Sequence, residues 1–300
     1  MSVKGRRAIR RVAAWAAASL CLASATLVIP PNAAAQETPY FVTYSHHLEE
    51  PGNLEIEFST NYATQKSGND FVAPWVEFEY GVKAWWTSEF YLDSQSTFRD
   101  STLFTGFRWE NRFRPLMREH WINPVLYIEY EDINGADKTM VEVVGFDGQA
   151  DHAAPNSETR REHLREIETK LILGSDYKGW NISEDFIGEK NLAHAPWEFG
   201  YAVGVSRPLR AAATARQCNF CRENLLAGAE FYGGLGTTAS FRLAATAHYA
   251  APIIAWQMPD GVTLRISPGF GLNGNSHRFL LRWGMSYEIG GFFRKVRSVF

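Results

Sequence analysis

In the run Phe279-Leu280-Leu281-Arg282-Trp283-Gly284-Met285-Ser286-Tyr287-Glu288-Ile289, every odd-numbered residue is large and apolar, while the even ones include Arg282, Ser286 and Glu288. A β-strand sends alternate side chains to opposite faces, so this segment has one greasy face and one that carries both signs of charge. The grammar recurs. Leu54, Ile56, Phe58 and Tyr62 alternate with Glu55, Glu57, Ser59 and Asn61; Val76, Phe78, Tyr80 and Val82 enclose Glu77 and Glu79. Trp197, Phe199, Tyr201, Val203 and Val205 enclose Glu198 and a run of small residues, and Val262, Leu264, Ile266, Phe270 and Leu272 alternate with Thr263, Arg265, Ser267, Gly269 and Gly271. A soluble sheet also alternates, but it turns its large aromatics inward; strands between lipid and a wet interior turn them outward.

The pattern predicts an all-β fold, an antiparallel transmembrane β-barrel of about twelve strands, with about ten and about fourteen as outer bounds. The strands fall at 53–62, 73–82, 84–92, 102–111, 122–131, 163–173, 178–187, 197–206, 223–232, 248–257, 262–272 and 278–289, and 40–47 is a further candidate. Connections alternate in length, as short periplasmic turns and longer outer loops do. The joins near 82–83, 174–178 and 258–261 are short; those at 63–72, 93–101, 188–196 and 233–247 are longer, and 132–162 is the longest. That last loop sits at the cell surface or folds into the lumen as a constriction.

The N-terminus adds an export signal. Lys4, Arg6, Arg7, Arg10 and Arg11 precede an apolar stretch that ends near Ile29, and Ala33-Ala34-Ala35 offers a small-residue cleavage site. Residues 1–35 then form a signal peptide and 36–300 the barrel. Cleavage removes five basic and no acidic residues, which takes the net charge from −3 to −8. No strongly basic patch marks a nucleic-acid surface. Beyond Ile29 no apolar run approaches the roughly 20 residues of a spanning helix, so membrane insertion falls to the strands. Phe300 supplies the terminal aromatic of bacterial outer-membrane proteins, although Arg297 and Ser298 break the alternation before it.

Parity places Glu55, Glu57, Glu77, Glu79, Glu129, Glu131, Glu166, Glu168, Glu198, Glu230 and Glu288 on the inner face, together with Arg108, Lys170, Arg265 and Arg282. Carboxylates in that number require partners or water. They form either a crossed Glu–Arg network that braces the bore or an acidic wall that faces a basic ladder, and an open bore lined this way selects permeants by charge.

The 207–222 connection is long where a short turn is expected. It holds Cys218 and Cys221, which in an oxidising periplasm read first as a local disulfide and otherwise as a redox pair or half a metal site. Haem attachment wants His after the second Cys, and Arg222 stands there.

The hairpin Glu79-Tyr80-Gly81-Val82-Lys83-Ala84-Trp85-Trp86 resembles the "EYG" hairpin of outer-membrane transporters related to the phenol-degradation MetA-pathway barrel family, and the ending Ser276-His277-Arg278 with Leu281-Arg282-Trp283-Gly284-Met285-Ser286-Tyr287-Glu288 is similar to that of many porin-like barrels. The resemblance implies architecture and an outer-membrane location in a Gram-negative cell, and it brings no catalytic residues.

The expected function is a porin-like channel or passive transporter for small solutes, not an enzyme, without cofactor or structural metal. Its partners are outer-membrane lipid, the outer-membrane assembly machinery and a small solute. Two alternatives stand beside it. An outer-membrane lipase or protease would need a rim nucleophile and base, for which Ser157 with His152 and Asp151, or Ser276 with His277, are the sequence neighbours; His46-His47 with Glu49-Glu50 is a possible adventitious metal contact. A closed structural or adhesive barrel is the other.

Overall fold

The computed structural model describes residues 39–149, 154–193, 196–210 and 220–298. The expected signal peptide, Cys218, His152 and Phe300 lie outside these residues.

Among the described residues the chain forms strands β1 (Leu54–Ala63), β2 (Phe71–Lys83), β3 (Trp86–Thr97), β4 (Thr102–Phe113), β5 (Asn123–Asn134), β6 (His163–Tyr177), β7 (Trp180–Asn191), β8 (Glu198–Pro208), β9 (Leu225–Thr237), β10 (Ser240–Phe241), β11 (His248–Gln257), β12 (Val262–Gly271) and β13 (Phe279–Ile289). Each long strand pairs antiparallel with its neighbours, and β1 pairs with β13 along its whole length, from Leu54 opposite Ile289 to Ala63 opposite Leu280. The β8–β9 pairing completes the ring. The result is a closed antiparallel barrel of twelve strands with the short β10 appended to β9. Closure leaves no edge strand among the twelve long ones, the condition under which strands can cross a membrane. No described helix is long and apolar enough to cross one.

All twelve long strands fall where alternation put them, but several run further. β3 continues to Thr97 and β9 to Thr237, past expected ends at 92 and 232. Asp93, Gln95 and Thr97 face inward while Ser94 and Ser96 face outward, so the ladder persists where the apolar marks have stopped. The expected 233–247 loop is accordingly shortened to a tight hairpin onto β10 and a turn of 3-10 helix, Leu243–Ala245. The candidate strand at 40–47 is not a strand.

The outward face carries Phe90, Phe104, Trp109, Leu126, Ile128, Phe186, Ile254, Ile266, Trp283 and Met285, all exposed. An apolar surface of that extent is unfavourable against water and suits lipid. Aromatic groups gather at the short-turn end, where Trp85, Trp86 and Phe113 stack and Trp121 meets Tyr177 edge-on. After β13 a short helix, Phe292–Arg297, sets Phe293 edge-on to Tyr80.

Two segments occupy the interior. Residues 39–50, ahead of β1, lie inside the barrel with Tyr40, Phe41, Val42 and His46 buried. Residues 136–149 of the β5–β6 connection fold inward from the long-loop end and bury Ala136, Val141, Val143 and Val144. Phe41, Val42, Met140 and Val143 join Tyr232, Tyr249, Ala251, Ile253 and Leu280 of the wall in one apolar cluster. Glycines on the wall make room for both. A Cβ at Gly204 would stand 2.7 Å from the Tyr40 ring, and one at Gly200 would strike the Val143 carbonyl.

Candidate functional site

The buried face of the wall holds charged side chains in a crossed arrangement. Arg108 on β4 is its largest hub: Nε lies 3.0 Å from Asp93 and 3.4 Å from Glu131, while the terminal nitrogens lie 3.0 Å from Glu142 and 3.2 Å from Asp137. It thus ties β3 and β5 to the infolded loop. Arg112, two inward positions along β4, pairs with Glu79 at 2.5 Å, Glu110 at 2.9 Å and Glu89. Lys170 on β6 sits 2.8 Å from Glu168 and 3.6 Å from Glu142, with its ammonium over the rings of Tyr44 and Tyr127.

The residues expected inside by parity distribute as follows. Glu55, Glu57, Arg108, Glu129, Glu131, Glu168, Lys170, Glu230 and Arg282 are buried; Glu77, Glu79, Glu166, Glu198, Arg265 and Glu288 are partly buried on the same face. Glu129, Glu168 and Glu142 bring carboxylate oxygens within 4.8 Å of one another. Sequence reasoning missed Glu89, Asp93, Glu110, Arg112, Asp185 and Glu189, all buried and on the same parity. Extending the two-residue period from Arg108 finds Glu110 and Arg112. Asp185 and Glu189 alternate with Phe186 and Gly188 but flank an inward Ile187, which blurs the pattern.

Several of these side chains hold the two inner segments. The Glu230 carboxylate accepts backbone N–H bonds from Phe41 at 3.2 Å and from Val42 and Thr43 at 2.8 Å each. Asp185 accepts from the Tyr44 N–H at 2.6 Å. Arg265 donates to the Tyr40 carbonyl at 2.7 Å while pairing with Glu57. Backbone groups away from any ladder need such partners. For the loop, Arg282 donates to the Met140 carbonyl at 2.7 Å and to the Tyr232 hydroxyl, and the Tyr249 hydroxyl donates to the Gly148 carbonyl. Single bridges pair Val144 with Gly200 and Gly145 with Gly236.

Between the loop and strands β5 to β8 remains a cavity of about 390 Å³ with an acidic lining that includes Glu131, Glu142, Asp147, Glu166, Glu189 and Glu198 against Arg108 and Lys138. Asp147 is a solvent-accessible part of this lining; desolvation, followed by Glu198, Glu166 and Glu142, pushes its carboxyl up to about 7. Burial lowers the Lys138 ammonium, whose nitrogen donates to Thr97 at 2.8 Å.

Of the rim groups considered for catalysis, Ser276 and His277 do not pair with each other, and Asp151 and His152, the partners considered for Ser157, lie outside the described residues. Ser276 donates to the His248 carbonyl at 2.8 Å and to Asn273 at 2.9 Å, while His277 Nδ1 meets the Thr64 carbonyl at 2.9 Å. Each side chain is engaged by backbone and not by the other. Cys221 is disulfide-bonded and precedes a 3-10 turn, Arg222–Asn224.

No protein-family model and no curated protein sequence matches the chain. Among solved structures, the COG4313 outer membrane channel from Pseudomonas putida F1 superposes with a TM-score of 0.52 at 8% identity, covering 85% of this chain and 100% of that one. The KdgM porin, solved in complex with disordered oligogalacturonate, gives 0.45 at 6% identity over 78% of this chain and 98% of its own. LpxR from Salmonella typhimurium gives 0.40 at 8% identity over 78% and 99%. With the ladder that closes β13 onto β1 and the superposition on the first of these, this chain has the fold of an outer-membrane β-barrel.

Proposed function

We propose that the chain is an outer-membrane channel for small solutes, exported by residues 1–35, inserted by the outer-membrane assembly machinery and embedded in lipid through its apolar face. The reading rests on one observation, the division of a closed wall into an apolar outer face and a charged inner one. A barrel that only needed filling is more cheaply filled with apolar side chains, because buried charges carry a desolvation penalty that ion pairs rarely exceed. An inner face of carboxylates and bridging cations is what a hydrated path requires. Glu55, Glu57, Glu77, Glu79, Arg108, Glu129, Glu166, Glu168, Lys170, Glu198, Glu230, Arg265, Arg282 and Glu288 are its lumen-lining residues. Carboxylates outnumber cations among the described inner residues, so the path favours cations over anions.

At rest, residues 39–50 and 136–149 narrow this path. Both are held by side chains and single bridges, not by the strand ladders, so either can withdraw without opening the wall. Liposome flux tests the reading. Vesicles that carry the mature chain should release small cationic solutes faster than protein-free vesicles, and a chain lacking residues 39–50 should release them several-fold faster still. Flux at the protein-free level from both chains contradicts a channel.

A further inference from the structure

At the short-turn end, outside the ion-pair network, four side chains with metal-ligating chemistry converge from three parts of the chain. His46 and His47 belong to the inner N-terminal segment, Asp176 to the end of β6, and Glu119 to the β4–β5 connection. His46 Nε2 lies 2.9 Å from Glu119 Oε1 and 3.8 Å from Asp176 Oδ2, and His47 Nε2 lies 2.8 Å from the same Asp176 oxygen. We propose that His46, His47, Asp176 and Glu119 form a binding site for one divalent transition-metal ion of the zinc class.

Spacing supports this first. A tetrahedral ion bound at about 2.0–2.2 Å by nitrogen and oxygen sets its donors roughly 3.3–3.5 Å apart. His46, His47 and Asp176 already hold ligand atoms within 4.8 Å of one another, with separations of 2.8 and 3.8 Å to the Asp176 oxygen on either side of that value, while Glu119 stands beside His46 and has to move further to join them. The second support is the state of His46. Its side chain is fully buried, and neither ring nitrogen has a hydrogen-bond partner among the described residues: the Glu119 oxygen is close but out of line for one. A buried imidazole without hydrogen bonds is unfavourable, and an ion in the gap between these four groups would take its lone pair. The ring also packs closely against Gly174, where any Cβ would collide with Nδ1.

Outer partners orient the carboxylates as they do around bound metals. Asn181 donates to Asp176 Oδ1 at 2.7 Å, which leaves Oδ2 facing the histidines. Arg114 donates to Glu119 Oε2 at 3.0 Å, and the Asn123 amide donates to Oε1, the oxygen that faces His46. The donor set of two imidazoles and two carboxylates excludes calcium and magnesium, which demand oxygen shells of six or more, and fits zinc, nickel or copper. His47 is 28% exposed, Asp176 38% and Glu119 51%, so an ion can enter from solvent at this end. Bound there, it would staple the N-terminal segment to the wall.

Isothermal titration of the untagged mature chain in detergent with zinc chloride tests the site, with magnesium chloride as the control and Co²⁺ as a spectroscopic probe. The expected result is saturable binding of about one Zn²⁺ per chain, a tetrahedral Co²⁺ absorption, and an affinity loss of about tenfold or more in both Asp176→Asn and His47→Gln, the range seen when metal ligands or their supports are altered. Both positions are partly exposed, and heat-modifiable migration confirms that the variants are folded. Absence of saturable binding, or equal affinity in wild type and both folded variants, overturns the proposal. The titration needs no current through the barrel, so a failure of the channel reading leaves it standing, and the reverse.

Discussion

Glu230 and Arg108 show how single side chains in this barrel act on segments far away in sequence. One carboxylate on β9 takes three consecutive N–H groups of the inner segment. Glu230→Gln keeps the shape but removes the charge and turns one acceptor into a donor, a loss of roughly 1–3 kcal/mol for charge-assisted bonds. Hydrogen exchange at 41–44 should accelerate in this variant, while exchange in the strand ladders stays unchanged. Arg108 answers four carboxylates at once. Arg108→Met strands them, and removal of one partner of a buried ion pair costs about 3–5 kcal/mol. Its melting temperature, followed by heat-modifiable migration, should fall well below that of wild type. Asp147 gives the loop a pH dependence with a definite sign. Its folded-state value of about 7 stands above the ordinary 3.8, so the docked loop holds the proton more tightly than the free one. Docking is strongest below about pH 4, weakens as pH rises, and loses this contribution above about pH 7. Exchange protection at 136–149, corrected for intrinsic rates, should therefore drop between pH 5 and pH 8 in wild type and show less change in Asp147→Asn.

At the scale of elements, the strands and the inner segments differ in how plainly the sequence announces them. Period-two alternation locates every long strand because an apolar outer face and a charged inner one leave opposite marks at successive residues, as Trp283 and Arg282 do on β13. Where the marks stop, at Ser94 to Thr97, the ladder ran on unseen. The inner segments carry no period. Tyr40, Phe41 and Val42 form a short apolar run that reads as a possible strand, and only the carboxylates of Glu230 and Asp185, which are far away in sequence, reveal that its N–H groups bond to side chains. The 136–149 loop reads as polar because Asp137, Lys138 and Glu142 are prominent, yet each meets a partner on the wall. Inner wall glycines were visible as small residues, but their reason, the close approach of a second chain segment, was not. Gly200→Val tests that reason: the added side chain strikes the Val143 carbonyl, expels the loop and should make 136–149 sensitive to protease while the barrel still shows heat-modifiable migration.

As a whole, the described barrel is a cylinder with opposite chemistry on its two faces and an interior that its own chain fills from both ends. Wall and filling have separate supports, hydrogen-bond ladders for the one and side-chain bonds for the other, so the filling can be altered while the wall persists. The most direct measurement is single-channel recording in planar bilayers from the chain that lacks residues 39–50, under a salt gradient. Stable conductance steps are expected, larger than those of wild type, with a reversal potential that shows preference for cations. Silence from the truncated, folded barrel, or a preference for anions, would contradict the channel reading.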